Sequence, residues 1–227
     1  MHKYTKVFLK YCKERFDFEN TSEVDYGYQS MAICIIDCVY SLQARYYSST
    51  IPVVERYAQH YLNNNILSSS DGVSALIKHI TDTGGPDQFA KKILKNKQRS
   101  GGVLKAEICL NLARYLSFLH IETVEDFRKF EEPKLLEIVI RAVKGIGNAG
   151  TNYLFMLAGD PDRCKPDTHI HHCVRDACGE DINDEGCQVL FTEVVKELKK
   201  EYPDMTVAKL DRIIWKEYQS KKKNCTV

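Results

Sequence analysis

A carboxylate, an amine and an imidazole fall within five residues at Lys165-Pro166-Asp167-Thr168-His169. The pattern is a helix start: Asp167 takes the N-cap position, and an apolar-bearing helix runs from it to a stop at Gly179. The helix dipole favours negative charge at that end, which helps keep the carboxylate ionised. A fixed, ionised carboxylate can stabilise positive charge developing on a sugar carbon, and it can orient or deprotonate an attacking water. Isolated segments of this kind are more often caps and nothing else, so what precedes this one decides.

Upstream, Gly145-Ile146-Gly147 interrupts a helical pattern. Leu135, Leu136, Val139, Ala142 and Val143 recur at three- and four-residue steps and mark one helix face. An apolar run over 153–158 resumes after the glycines, and Gly159 ends it. Residues 135–158 therefore read as helix, tight hairpin, helix. Gly145 and Gly147 permit backbone angles closed to other residues and let a partner approach the main chain. Amides at a turn opening into a helix point outward and favour an anion. The segment Lys144, Gly145, Ile146, Gly147, Asn148, Ala149 can thus seat a phosphate, with the Lys144 ammonium beside it.

Further candidates are dispersed. Asp37 interrupts an otherwise apolar stretch over 29–42. A buried carboxylate is costly unless partnered, so Asp37 either lines a pocket or bonds a backbone amide or an arginine in the core. Gln43 and Arg45, with Tyr46 and Tyr47, end that stretch, either as plain surface or as groups that touch and stack on a ligand. Asp211 and Trp215 are i and i+4 neighbours on a helix, and Trp215 is either core or pocket wall. Lys91, Lys92, Lys95, Lys97, Arg99 and Lys105 form the densest basic stretch, either phosphate contacts or a solvated face. His169, His171 and His172 lack metal-ligand spacing; His169 is expected to steady the turn after Asp167, with His171 or His172 turned toward a ligand. Of the nine cysteines none forms a C-x-x-C pair, and Cys164, Cys173, Cys178 and Cys187 match no zinc spacing. No metal centre is expected; the thiols read as reduced and mostly buried.

Helices must position these groups. They are expected over 4–16 (Val7, Phe8, Tyr11 and Cys12 inward), 29–42 (buried all round), 53–62 behind Pro52, 73–81, and 87–96 after the break at Gly84-Gly85-Pro86. A loop spans 19–25. After Arg99-Ser100-Gly101-Gly102, read as a second break, helices follow over 104–119 and 124–130; beyond the hairpin unit come 185–202 and 207–218 with a frayed lysine tail. Strand signals are nearly absent, so the expected fold is all-α.

A chain of 227 residues can bury a substantial core as one domain or two small ones. A net charge of +1 gives no global pull toward nucleic acid, so any such surface is a local patch. No apolar run reaches membrane-spanning length, and the N-terminus is too charged for a signal peptide, which points to the cytoplasm and away from membranes.

The glycine hairpin, the apolar helix, the short loop and the capped Asp167 together resemble the helix-hairpin-helix (HhH-GPD) DNA glycosylase superfamily, the endonuclease-III-like base-excision enzymes. The match is specific from the hairpin to Asp167 and looser over most of the chain. It implies a two-lobed helical fold with a DNA cleft between the lobes: a six-helix lobe over 29–165 carrying the hairpin, and a second lobe from 1–28 with 166–227. It implies Asp167 as the catalytic carboxylate acting on a flipped base. Gln43 resembles the family's glutamine wedge, supported by Arg45, and Gly145, Ile146, Gly147, Asn148, Ala149, Lys144, Lys165 and His169 would contact the DNA. Asp37, Asp211 and Trp215 would line the base pocket.

Relatives that also cut the backbone carry a lysine two residues after the second glycine; here that position is Ala149, eighteen positions before Asp167. The cysteine spacing likewise departs from the family's four-cysteine iron–sulfur loop, so no cluster is expected. The resemblance therefore implies a monomeric, monofunctional glycosylase on double-stranded DNA carrying a damaged or modified base, located wherever that DNA lies, in a nucleoid or a nucleus. Two alternatives stand beside it: a non-catalytic DNA-binding module, and a bifunctional glycosylase/lyase using a displaced amine at Lys144 or Lys165.

Overall fold

Eleven consecutive residues, Met31–Ser41, are buried in one helix, and this follows from a sequence (MAICIIDCVYS) that is apolar on every side. Ser30 caps it, its Oγ accepting from the Ile33 amide at 3.0 Å. A computed structural model describes residues 2–19 and 27–224 of the chain. Of the loop expected over 19–25, residues 20–25 lie outside the described residues.

The helices in chain order are α1 (Thr5–Arg15), α2 (Met31–Ser41), α3 (Ile51–Tyr61), α4 (Val73–Asp82), α5 (Pro86–Lys92), α6 (Lys105–Phe118), α7 (Val124–Lys129), α8 (Pro133–Ala142), α9 (Asn148–Leu157), α10 (Thr168–Cys178), α11 (Asp184–Leu198) and α12 (Val207–Asn224). A π-helical turn, Tyr46–Thr50, leads into α3. The chain divides into two compact units, residues 26–159 and residues 1–25 with 160–227. In the first, α3, α4, α6 and α9 pack around α2. In the second, α1, α10, α11 and α12 enclose Phe8, Cys12, Ile170, Val174, Leu190, Phe191, Leu210 and Ile214, with the Phe8 and Phe191 rings 5.4 Å apart.

Among the described residues the fold is helical apart from one two-stranded hairpin, β1 (Arg99–Ser100) and β2 (Val103–Leu104), where the sequence reads as a plain break. Gly101 and Gly102 both have positive φ (56° and 78°), the backbone of a two-residue turn whose twist matches paired strands. Three other expectations are corrected. Val7 is exposed, and α1 buries Thr5, Phe8 and Cys12. The buried stripe of α8 is Leu136 and Ile140, continued by Val143, which leaves Leu135 and Ala142 outside, because α8 packs that face against α6 and α9. The C-terminal helix does not stop at residue 218 but runs through the lysines to Asn224. Among the described residues no helix is long and apolar enough to cross a membrane.

Ile36 is fully buried on α2. Ile36→Ala is expected to lower unfolding free energy by about 2–5 kcal/mol in chemical denaturation. The exposed Val7→Ser should stay within about 0.5 kcal/mol of the parent.

Candidate functional site

The strap before α10 is tied down bond by bond. The Ala208 amide donates to Pro161 O at 3.0 Å, the Cys164 amide to Gln188 Oε1 at 3.0 Å, and the Lys165 amide to Asp211 Oδ1 at 2.7 Å. The Asp167 amide then reaches back to Lys165 O at 2.6 Å, closing a three-residue turn around Pro166. Proline suits the centre of that turn, since its ring holds φ near the required value and no N–H is lost from the bond.

Asp167 emerges from this turn as the N-cap of α10. Its Oδ1 accepts from the His169 amide at 2.8 Å and from the Ile170 amide at 3.2 Å. Both cap bonds converge on one oxygen, so Oδ2 is not spent on the cap. Asp167 is half-buried, as are Lys165, His169 and Trp215. The His169 and Trp215 rings meet edge to face at 5.9 Å, and Trp215 is thus neither in the sealed core nor fully exposed. Asp211 is only 3% exposed. Burial pushes its acid well above the usual carboxylate range, the negative charge of Asp167 adds to that, and the Lys165 amide and the charges of Lys165 and Arg212 act against it. One compact unit thus assembles Lys165, Asp167, His169, Asp211 and Trp215.

His171 does not turn toward a ligand. Its Nε2 lies 2.9 Å from Asp184 Oδ1, and its Nδ1 lies 3.8 Å from the buried Cys187 thiol, which burial pushes up to about 12. A thiol so reluctant to ionise is packing, not a nucleophile. All eight described cysteines are free, and among the described residues no cluster of three or more histidine, cysteine or carboxylate side chains could hold a metal.

The other unit carries the glycine hairpin. Gly145 has φ +102°, and a Cβ there would lie 2.5 Å from Ile108 Cδ1 and 2.9 Å from Ser100 O. Only glycine fits. Ser100 Oγ donates to Gly145 O at 2.9 Å, so the β1–β2 hairpin clamps the glycine turn. Gly147, the exposed N-cap of α9, has open space where a Cβ would stand. Lys144 is exposed, Asn148 and Ala149 are half-buried, and the Ile146 side chain is buried, lying 3.1 Å from where a Gly150 Cβ would sit. The Ile146 side chain therefore packs into the core, and its amide donates to Val143 O at 3.0 Å.

Gln43 is exposed and held at φ +50°, an uncommon backbone for a residue with a side chain. The reason is Lys105, read from the sequence as either a phosphate contact or part of a solvated face and found instead 1% exposed. Its ammonium donates to Tyr40 O at 3.0 Å, Leu42 O at 2.6 Å and Gln98 Oε1 at 3.1 Å. A cation on the last carbonyls of α2 satisfies the end of that helix and fixes the bend that presents Gln43 and the exposed Arg45. Lys91, Lys92, Lys95, Lys97 and Arg99 remain exposed, with Lys97 paired to Asp87 at 3.3 Å.

Asp37 is fully buried, and three phenols bond its carboxylate. Tyr28 and Tyr46 donate to Oδ2 at 2.9 and 2.8 Å, and Tyr153 donates to Oδ1 at 3.1 Å. Burial and the Asp37 charge push the Tyr28 and Tyr46 phenols far up. No sequence spacing signals this cluster, because the three phenols come from a loop, the π-helical turn and α9. The Lys165–Asp211 bond and the Ser100–Gly145 clamp are equally silent in the sequence.

Residues 6–220 match the model of a family described as Domain of unknown function (DUF8548). No curated protein and no solved structure matches the chain.

Gly145→Ala forces both a positive φ and two contacts under 3 Å, and is expected to cost about 1–3 kcal/mol in thermal or chemical unfolding. Lys105→Met strands the carbonyls of Tyr40 and Leu42 at a cost of about 1–3 kcal/mol. Hydrogen exchange should then quicken at the Gln43 and Arg45 amides while α10 is unchanged.

Proposed function

We propose that this chain, which belongs to the DUF8548 family, is a monofunctional DNA glycosylase of the helix-hairpin-helix type. The observation that carries the proposal is the state of Asp167: a carboxylate at a helix N-terminus, held through one oxygen by two amides, half-accessible, with its second oxygen not used by the cap. Such a group is pre-oriented before any ligand arrives, which is what electrostatic stabilisation of a cationic transition state requires.

In the proposed reaction the target nucleotide leaves the stack. The bond between C1′ and the base breaks, its electron pair departs with the base, and positive charge spreads over the sugar beside Asp167. A water oriented by the same carboxylate adds to C1′, Asp167 takes its proton, and the released base gains one from solvent or a nearby acid. Ala149 stands where lyase-competent relatives of the proposed type carry a lysine, so water and not an amine is the nucleophile. The main chain of 144–149 would seat a phosphate, its amide end favoured by the α9 dipole, with Gln43 and Arg45 filling the space left by the base. Asp37, locked among three phenols, would act in that pocket through the hydroxyls around it.

Duplex oligonucleotides carrying a panel of damaged and modified bases test the proposal. Free-base release without strand scission is expected, with nicks appearing only after alkali. Asp167→Asn keeps a good capping side chain and removes the charge, so it should still fold cooperatively and lower release by about 100-fold or more. Release from no substrate, together with unaltered duplex affinity in Asp167→Asn, would establish instead a module that only binds DNA. A covalent adduct trapped by borohydride on abasic DNA would establish an amine nucleophile.

A further inference from the structure

Asp211 sits on α12, forty-six positions from the residue whose amide it holds. Nothing in a glycosylase reading based on Asp167 alone requires a second acidic group, and a carboxyl at 3% exposure is too expensive to be incidental. We propose that Asp211 is the positioning residue for Asp167: its buried carboxyl grips the Lys165 amide at the root of the Pro166 turn and couples its own charge to that of the Asp167 carboxylate. The inference rests on the glycosylase reading only for what Asp167 does to a substrate; the coupling belongs to the unit itself.

Two observations support it independently. The 2.7 Å bond from the Lys165 amide to Asp211 Oδ1 and the 2.6 Å bond from the Asp167 amide to Lys165 O form one chain, so displacing Asp211 displaces the cap. The second is electrostatic. Around Asp211 lie Asp167, whose negative charge disfavours its ionisation, Lys165 and Arg212, whose charges favour it, and the Cys164 thiol, which burial keeps protonated. α10, packed on α12, also brings His169 against Trp215, one turn beyond Asp211. Burial and the Asp167 charge prevail, so Asp211 keeps its proton well past the usual carboxylate range. Like charges in one site cannot both ionise cheaply.

The folded state therefore holds a proton that the unfolded chain gives up near pH 4. Stability from this group is full below that value and declines as pH rises toward the folded-state titration of Asp211. Asp211→Asn keeps the acceptor for the Lys165 amide and cannot ionise, so it lacks the decline. The melting temperature of Asp211→Asn relative to wild type should climb with pH from about 4 upward, and the climb should level off at lower pH and be smaller in an Asp167→Asn background, where the like charge is gone.

A second measurement reads the consequence for ligand. Binding is compared for duplexes carrying a cationic pyrrolidine or a neutral tetrahydrofuran in place of the abasic sugar. In wild type the preference for the cation should rise with pH as Asp211 ionises, and in Asp211→Asn it should be flat. Asp211→Ala, which drops the Lys165 amide, should lose about tenfold of that preference, the equivalent of one pKa unit of interaction. Parallel melting curves for Asp211→Asn and wild type, or a titration unmoved by Asp167→Asn, would overturn the inference. Coupling seen in the melts with no preference for the cationic duplex would leave the inference standing and remove the glycosylase reading.

Discussion

Two amide groups at the start of α10 converge on a single oxygen of Asp167, and everything proposed for this molecule depends on that asymmetry. A capping bond contributes only about 1 kcal/mol to stability, so the geometry is not there for strength. Its value lies in orientation. A carboxylate free to rotate would present either oxygen at random; one pinned through Oδ1 presents Oδ2 in a fixed direction without loss of its charge. The Pro166 turn and the Asp211–Lys165 bond extend the same constraint backward, so that the strap into the helix has little freedom of its own.

The other unit solves a different problem with the same means. Its central helix is apolar on all sides, and the polar groups that intrude upon it must be satisfied within the protein. Lys105 answers the last carbonyls of α2, three phenols answer Asp37, and Tyr57 answers Asp71 at 2.5 Å. Two of these networks end at a feature on the surface, Lys105 behind the bend at Gln43 and Tyr46 in the π-helical turn, and Ser100 does the same against the glycine hairpin. Rare backbone states cost free energy and persist where the surroundings impose them. Here the imposing groups can be named, and they lie one layer beneath the segments proposed to meet DNA.

The molecule thus separates exposed groups from the groups that hold them. Asp167, Gln43, Lys144 and Gly147 are accessible; Asp211, Lys105, Ile146 and Ser100 are not. A carboxyl and an ammonium buried to this degree would be destabilising if left alone; Asp211 holds the Lys165 amide, and Lys105 holds two carbonyls and the Gln98 side chain.

What the sequence determined by itself was local. The apolar periodicity of α2, the capping sense of Asp167, the glycine break at 145–147 and the helical content all follow from neighbours within one or two turns, and each was legible for that reason. The β1–β2 turn escaped because two glycines in a row signal a break as readily as a hairpin, and the seam of α8 was misread because periodicity offers several faces and only a partner selects one. The tertiary structure alone decided which polar side chains are buried: Lys105 reads as one more surface lysine until α2 ends against it. Asp211 reads as a pocket residue until the Lys165 amide arrives from far along the chain. Burial is set by what another segment covers, and no window of sequence contains that segment.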